Sequence, residues 1–399
     1  MMINTIIVNV DELWLKGGNR PQYFRAMNQH LTEVAKAYHD FKFTCLFENH
    51  RQVLHSEVSF SEEFLEALLR VPGVHSIIPA RRVPFTLEAI FPAIETELQS
   101  YAELPSTFRV TTRRSNKKFP LDSMEVSRLM GGKILEKFPC LKVDVHHPKL
   151  HVKVTILDKY IYISSKSLMA IGGLPIGMTG RLVTLISGGF DSPVASYLMS
   201  KRGCDQIFAF FYAYPFVGEE VKEKIFNIMK VIGRYQRQSK LYVIPFGHMQ
   251  TALAKVCREE YRTILFRHYM VACSNLIADE NKAEGLLTGD AIGQVSSQTI
   301  GNLAMLDSFS ARPILRPLVG FNKSEIIELS RKIGTHDISV IPHDDACALF
   351  APRHPIIRPN VEYVRSLASD LDLQLALKEC FSNAEIFSIS LRGEISKVK

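Results

Sequence analysis

Seven cysteines are spread over 399 residues, and no two of them stand in a Cys-x-x-Cys pair. An odd count without close spacing does not make a disulfide framework, and closely spaced thiolates for zinc or an iron–sulfur cluster are missing. Long hydrophobic runs are missing too: the longest apolar-rich stretch, Ile207 to Val217, falls short of the roughly 20 residues that span a bilayer. Met1-Met2-Ile3-Asn4 is not a basic region leading into an apolar core, so no secretory signal is expected. Low-complexity tracts and repeats are absent. No Gly-Lys-Ser/Thr string follows a strand, which excludes the phosphate loop that sets a lysine on the β and γ phosphates. These absences leave a globular protein of a reducing, cytoplasmic compartment, without membrane association. Hydrophobic residues make up 46% and charged residues 22%, enough apolar material for the cores of the two or three domains that the length predicts.

Residues 182–193 read Leu-Val-Thr-Leu-Ile-Ser-Gly-Gly-Phe-Asp-Ser-Pro. Val183, Thr184, Leu185 and Ile186 predict a short buried strand. Ser187-Gly188-Gly189-Phe190-Asp191-Ser192 then turns into a helix over about 193–201, with Pro193 where a missing N–H costs nothing. Glycines let the backbone close on an anion, and a fresh helix end offers unpaired N–H groups and partial positive charge, so a phosphate or pyrophosphate is the natural guest. The string Ser-Gly-Gly-x-Asp-Ser after a strand resembles the PP-loop of the ATP pyrophosphatase superfamily. Those enzymes cleave ATP between the α and β phosphates and activate an oxygen as its adenylate.

Downstream, strands and helices alternate regularly. Strand 182–186, helix 193–201, strand 207–212, helix 219–237, strand 241–245, one long helix of about 249–279, strand 285–288 and helix 323–333 predict an α/β domain. Its sheet should be largely parallel, with ligands beyond the carboxyl ends of the strands. Upstream, strands at 5–10, 41–47, 108–113 and 151–156 mix irregularly with helices at 21–38, 61–69, 84–100 and 121–138, which predicts small α+β units. Gly172-Gly173-Leu174-Pro175-Ile176-Gly177, followed by Gly180, reads as an interdomain linker.

Several side chains carry two readings each. Asp191 beside a pyrophosphate helps hold Mg²⁺, or caps the helix. Phe210 and Phe211 flank an adenine, or simply fill a buried strand. Gly289-Asp290 leads into Gln294-Val295-Ser296-Ser297-Gln298-Thr299, a polar ligand wall or an ordinary loop. Arg267 pairs with the α-phosphate, or lies on the surface. Lys323 opens a helix at the end unfavourable for a cation, which hints at another role, such as neutralising a leaving pyrophosphate. Cys347 sits in a polar, proline-flanked loop near His343, a reactive or an inert thiol. The net charge is +7, and Arg113-Arg114-Ser115-Asn116-Lys117-Lys118 concentrates cations in a patch suited to a phosphate backbone or in a solvated loop.

Taken in order along nearly the whole chain, these strings resemble the tRNA 4-thiouridine synthetases, or tRNA sulfurtransferases. Glu12 to Arg20 is similar to the opening of that family's ferredoxin-like domain, and Phe108 to Ser123 to its THUMP RNA-binding domain. Gly172 to Pro175 matches the linker, Ser187 to Ser192 the PP-loop, and Gly289 to Thr299 its most distinctive stretch. The resemblance implies a ferredoxin-like domain at 1–58, a THUMP domain at 59–166, a linker at 167–180 and a PP-loop catalytic domain with a parallel sheet at 181–399. It implies that ATP, with Mg²⁺, adenylates uridine-8 of tRNA, and that persulfide sulfur then replaces the C4 oxygen to give 4-thiouridine. Asp191, Lys323 and Cys347 match the catalytic positions. Leu185, Ile186, Ser187, Gly188, Gly189, Asp191, Ser192, Phe210, Phe211, Arg267, Gly289 and Gln298 match the ATP site. Arg113, Arg114, Lys117 and Lys118 fall in the tRNA-binding region.

A cysteine desulfurase as sulfur donor, a homodimer, and sulfur transfer for the thiamine thiazole are implied as well. A non-catalytic tRNA-binding protein and another ATP-pyrophosphatase ligase are the alternatives. The chain departs from some members in three ways. Only about fifty residues follow Cys347, too few for a rhodanese domain with a second redox cysteine. Cys204 is a candidate for that second thiol or an inert core residue. Asp290 and Asn322 stand where many members have Glu and Asp.

Overall fold

The computed structural model describes residues 3–10, 12–39, 41–48, 51–342, 352 and 354–399. They form two compact units that divide between Leu174 and Pro175.

The first unit holds two five-stranded sheets. In one, β1 (Thr5–Val10) runs antiparallel between β3 (Arg51–Ser56) and β4 (Val74–Pro79), with β2 (Phe43–Glu48) at one edge and the two-residue strand Leu168–Met169 at the other. Thr5 to Val8 are all buried, so β1 is covered on both faces and its sequence does not alternate. One cover is α1 (Arg20–Tyr38), which buries Met27, Leu31 and Val34 at helical spacing and packs on α2 (Glu62–Leu69). Ser61 caps α2 by accepting the Phe64 N–H. The sheet continues past residue 58, because β4 pairs with β1.

The second sheet has the order β5 (Arg81–Pro84), β9 (Tyr160–Ser164), β8 (Leu150–Ile156), β6 (Thr107–Arg114), β7 (Lys142–Val143), with β6 parallel to both neighbours. Helices α3 (Ile90–Gln99) and α4 (Ser123–Lys137) close its core over Ile94, Phe108, Met130, Val152 and Ile163. The helix expected from residue 84 starts only at Ile90, because Arg81 to Pro84 pair with β9 instead. Asp122 and Glu125 start α4 with a reciprocal capping box.

The second unit is built on a seven-stranded sheet. Strands β11 (Arg181–Leu185), β12 (Asp205–Tyr212), β13 (Ser239–Pro245), β14 (Gly285–Leu287) and β15 (Ile314–Leu315) are parallel. Strands β16 (Glu385–Ile389) and β17 (Ile395–Lys397) add an antiparallel edge that the sequence reading did not foresee. Taking Leu168–Met169 as β10, the order here is β15-β14-β11-β12-β13-β16-β17. The chain leaves β11 towards β12 and returns later to β14 on the other side. A crevice opens at such a switch point, at the carboxyl end of β11.

Nine helices flank this sheet among the described residues: α5 (Asp191–Lys201), α6 (Glu219–Ile232), α7 (Gly247–Val256), α8 (Arg262–Asn281), α9 (Ile300–Phe309), α10 (Lys323–Ile333), α11 (His336–Val340), α12 (Val361–Ala368) and α13 (Leu371–Ser382). The single long helix expected over about 249–279 is two. Cys257 and Arg258 take extended backbone, and the Arg258 N–H donates to the Tyr363 hydroxyl at 2.9 Å, so contacts from α12 override helical propensity. Helix α6 likewise stops at Ile232, where Gly233 to Tyr235 tighten into a 3₁₀ turn.

A fully buried polar network fixes α5 on the sheet. Gln206 of β12 accepts the Thr184 and Ser196 hydroxyls, each at 2.8 Å, and its amide donates to Ser196 O and Ser200 Oγ. Every amide capacity is matched, which makes the network specify one arrangement rather than weaken the core.

Helix α8 is buried along most of its length and carries His268 inside, its ring 4.7 Å from Phe309 and 4.9 Å from Tyr269. Burial pushes this imidazole down to about 4. The unfolded chain therefore takes up a proton near pH 6.5 that the folded chain refuses until about pH 4, and stability falls as pH falls across that window, by about 3 kcal/mol in all. His268→Phe is expected to remove this component, so that urea midpoints of the variant change less between pH 6.5 and 4 than those of the parent.

Candidate active site

Strand β11 ends at Leu185 and α5 begins at Asp191, so Ser187 to Ser192 form the turn and the first residues of the helix. Ser192 closes the turn. Its Oγ accepts the Ser187 N–H at 2.8 Å and lies 3.1 Å from the Ser187 hydroxyl. Asp191 is not the cap, since Phe190 holds that position without a side-chain cap bond. The Asp191 carboxylate instead accepts from Lys323 Nζ on both oxygens, at 2.9 and 3.0 Å. Lys323 is the first residue of α10, whose own start is capped by Asn322 and Glu325. A cation at the wrong end of one helix is thus held by an anion at the right end of another.

Beyond the carboxyl ends of β11, β12 and β14 lies a cavity of about 470 Å³. That is a nucleotide-sized space. Leu185, Ile186, Ser187, Gly188, Asp191 and Ser192 form one wall, Phe210 and Phe211 of β12 another, and Arg267, Gly289 and Gln298 a third. Gly189 lies outside the wall, and its carbonyl accepts from Ser339 Oγ of α11 at 3.2 Å. The two phenylalanines line the cavity while almost wholly buried, Phe211 edge-on to Phe246 at 5.2 Å.

Gly289 is glycine for want of space. A Cβ there would lie 2.6 Å from Ser192 N and 2.7 Å from Asp191 C, both backbone atoms. The strand end therefore presses directly on the start of α5.

Asp290, the next residue, was not singled out as a site residue by the sequence reading, and neither was Arg316. Asp290 is buried, yet it accepts from Arg267 Nη2 on both oxygens (2.6 and 2.7 Å), from Thr288 Oγ1 (2.8 Å), from Gln298 Nε2 (3.2 Å) and from Arg316 Nε (3.3 Å). Burial pushes its carboxyl up, but the Arg267 guanidinium, the Thr288 and Arg267 hydrogen bonds and the Arg316 charge outweigh it and hold the group below the ordinary carboxylate range. Arg267 also donates to Ser297 O at 3.0 Å, so it is neither a surface residue nor an unattached cation.

In the first unit, Arg113 and Arg114 end β6, and Lys117 and Lys118 follow in the turn. Arg113, Lys117 and Lys118 are exposed, whereas Arg114 donates to Phe119 O and Leu121 O and holds that turn together. The patch is wider than the sequence run. Arg109 lies on the same face of β6 as Arg113, beside His151 of β8, and Thr111 beside Lys153. Burial first, then Lys153, Arg109 and Arg113, lower His151. The period of two along β6 was the signal that would have found Arg109. Cys347 and His343 lie outside the described residues. Cys204 is buried just before the first residue of β12, at the end of that strand opposite to Phe210 and Phe211, and burial raises its thiol.

Gly289→Ala is expected to push α5 off the strand end and lower stability by about 1–3 kcal/mol, read as a lower urea midpoint of unfolding. An unchanged midpoint would mean that the two segments separate at no cost.

Three family models match consecutive parts of the chain: a ferredoxin-like domain over residues 5–77, a THUMP domain over 85–166, and the family described as thiamine biosynthesis protein (ThiI) over 177–373. A probable tRNA sulfurtransferase of Moorella thermoacetica is 36% identical over 99% of this chain and 100% of its own length. One from Brevibacillus brevis is 33% identical over 98% of each. The crystal structure of a 4-thiouridine synthetase in complex with RNA and bound ATP superposes with a TM-score of 0.88 at 28% identity, covering 97% of this chain and 99% of that one. With its PP-loop at the switch point of a parallel sheet and ferredoxin-like and THUMP segments before it, this chain belongs to the tRNA sulfurtransferases, the 4-thiouridine synthetase family.

Proposed function

We propose that the chain uses ATP to adenylate the C4 oxygen of uridine-8 in tRNA, and then replaces that oxygen with sulfur carried on Cys347. The observation that carries the ATP step is the Asp191–Lys323 pair at the phosphate loop of a nucleotide-sized cavity. In the first step the C4 oxygen attacks the α-phosphorus, its bond to the pyrophosphate oxygen breaks, and the N3 proton is lost to solvent. Lys323 meets the negative charge that grows on the departing pyrophosphate. The Leu185–Ile186 and Phe210–Phe211 walls take the base, and Arg267, Gly289 and Gln298 the rest of the nucleotide. A ring-carbonyl oxygen leaves poorly, whereas AMP leaves readily, so activation must precede substitution.

Among the described residues no group of three His, Cys, Asp or Glu side chains could hold a metal. Mg²⁺ does not need one, because it binds mainly to phosphate oxygens and water with one or two carboxylates, and Asp191 is the carboxylate at hand. When bound, Mg²⁺ neutralises phosphate charge.

In the second step the outer sulfur of a Cys347 persulfide attacks C4 and the C4–O bond breaks, releasing AMP and leaving a disulfide between Cys347 and the base. A reducing thiol then cleaves the S–S bond, and the outer sulfur stays on C4. A cysteine desulfurase loads the persulfide in this reading, and the enzyme works as a cytoplasmic homodimer. The description of the matched family model supports a second use of the same sulfur, for the thiamine thiazole. The first unit, with its ferredoxin-like and THUMP segments, holds tRNA while 181–399 does the chemistry.

The test is a reaction of tRNA transcript, Mg-ATP, desulfurase and cysteine, assayed for pyrophosphate, AMP and 4-thiouridine. Cys347→Ala is expected to release pyrophosphate while the adenylate stays on the tRNA and no 4-thiouridine forms, and Lys323→Met to slow pyrophosphate release by about 10²- to 10³-fold. If the wild type binds tRNA and forms none of the three products, it is a binding protein and not an enzyme. Lys117→Ala with Lys118→Ala is expected to weaken tRNA binding and to lower the slope of log affinity against log salt by about 2.

A further inference from the structure

Asp290 takes no part in the steps above, and an anion beside a triphosphate cleft ought to repel the ligand. Its surroundings point to another task. Both carboxylate oxygens are taken by Arg267, Arg316 adds a second guanidinium, and Thr288 and Gln298 complete the shell. A group so fully occupied is no general base, and it has no oxygen to spare for a metal.

What the shell does is fix two pieces of the cleft that come from separate segments. Arg267 belongs to α8, and Gln298 to the loop after β14. The guanidinium is planar, so holding Nη2 on Asp290 and Nη1 on Ser297 O sets its whole orientation. An ionised carboxylate only accepts, so the Gln298 amide must turn its NH₂ towards Asp290 and its oxygen away. Both side chains line the cavity. Asp290 itself is anchored by Thr288 at the end of β14, directly after the glycine that presses on α5.

We propose that Asp290 is a positioning residue for ATP, setting the Arg267 guanidinium and the Gln298 amide in the arrangement the nucleotide meets. This rests on the ATP reading of the cleft given above. Asparagine in its place supplies one acceptor oxygen and turns an NH₂ towards a guanidinium. Glutamate keeps two acceptor oxygens on a stem longer by one methylene.

The experiment uses the full chain, with Mg-ATP as the probe, in calorimetry and in AMP-release kinetics at varied ATP with saturating tRNA, desulfurase and cysteine. Asp290→Asn is expected to weaken ATP binding and raise KM for ATP by about 10- to 100-fold, while kcat falls less than about threefold. Asp290→Glu is expected to bring KM back to within about threefold of the wild type. A residue that merely supported the fold would lower the active fraction, and so apparent kcat, without moving KM. If Asp290→Asn does not fold, Thr288→Val replaces it as the test: the charge stays, one hydrogen bond is lost, and KM for ATP rises by about threefold or more. Wild-type protein that binds no ATP overturns the ATP reading itself. Wild-type binding with an unmoved KM in Asp290→Asn, or in Thr288→Val where that serves instead, overturns the role of Asp290 alone.

Discussion

The end of β14 and the start of α5 meet backbone to backbone, with no room for a side chain at Gly289. Much else in the second unit follows from that contact. It sets the distance between the loop that turns around Ser192 and the strand end that carries Thr288 and Asp290. It is only possible because β14 lies next to β11 in the sheet although a hundred residues separate them in the chain. The Gln206 network works from the other side, locking α5 to β12 through Ser196 and Ser200. The phosphate loop is therefore gripped from two neighbouring strands and has little freedom to reorganise when a ligand arrives, which is the condition for electrostatic preorganisation.

Three cations near the cleft are each held by an anion. Lys323 is held by Asp191, Arg267 by Asp290, and Arg316 by Asp290 and Asp307. Such pairs contribute modestly to stability, because desolvation offsets much of the Coulomb gain. Their effect is on geometry. Long side chains that would otherwise sample many rotamers are kept in one, so less ordering remains to be done when a polyanion binds.

The strand–turn–helix over residues 181–201 and the parallel sheet were legible in the sequence because both rest on local signals. A buried apolar run followed by Ser-Gly-Gly-Phe-Asp-Ser announces strand, turn and helix without reference to anything else. The elements misread were those decided at long range. The break between α7 and α8 depends on Tyr363, about a hundred residues away, and β5 exists because β9 is there to pair with it. The sequence marks Asp290 and Gln298 in one polar stretch, but the pairing of Asp290 with Arg267 and Arg316 escaped for the same reason, since those two come from separate segments that no spacing rule brings together. The wider cationic face around Arg109 was within reach, since alternation along one strand predicts it, but a contiguous run of basic residues draws attention away from a periodic one.

The strand order also bears on how the protein is made. Strand β11 is the first of its sheet to leave the ribosome, yet it needs β12 on one side and β14 on the other, and the Asp191–Lys323 pair waits for Lys323. Parallel pairing of this kind closes long loops before any contact rewards it, and such contacts form slowly. The cleft is therefore a late product of synthesis, while the first unit, whose sheets are closed by residue 169, can fold as soon as it emerges. On a growing chain, the surface that carries Arg109 and Arg113 is ready before the cleft of the second unit exists.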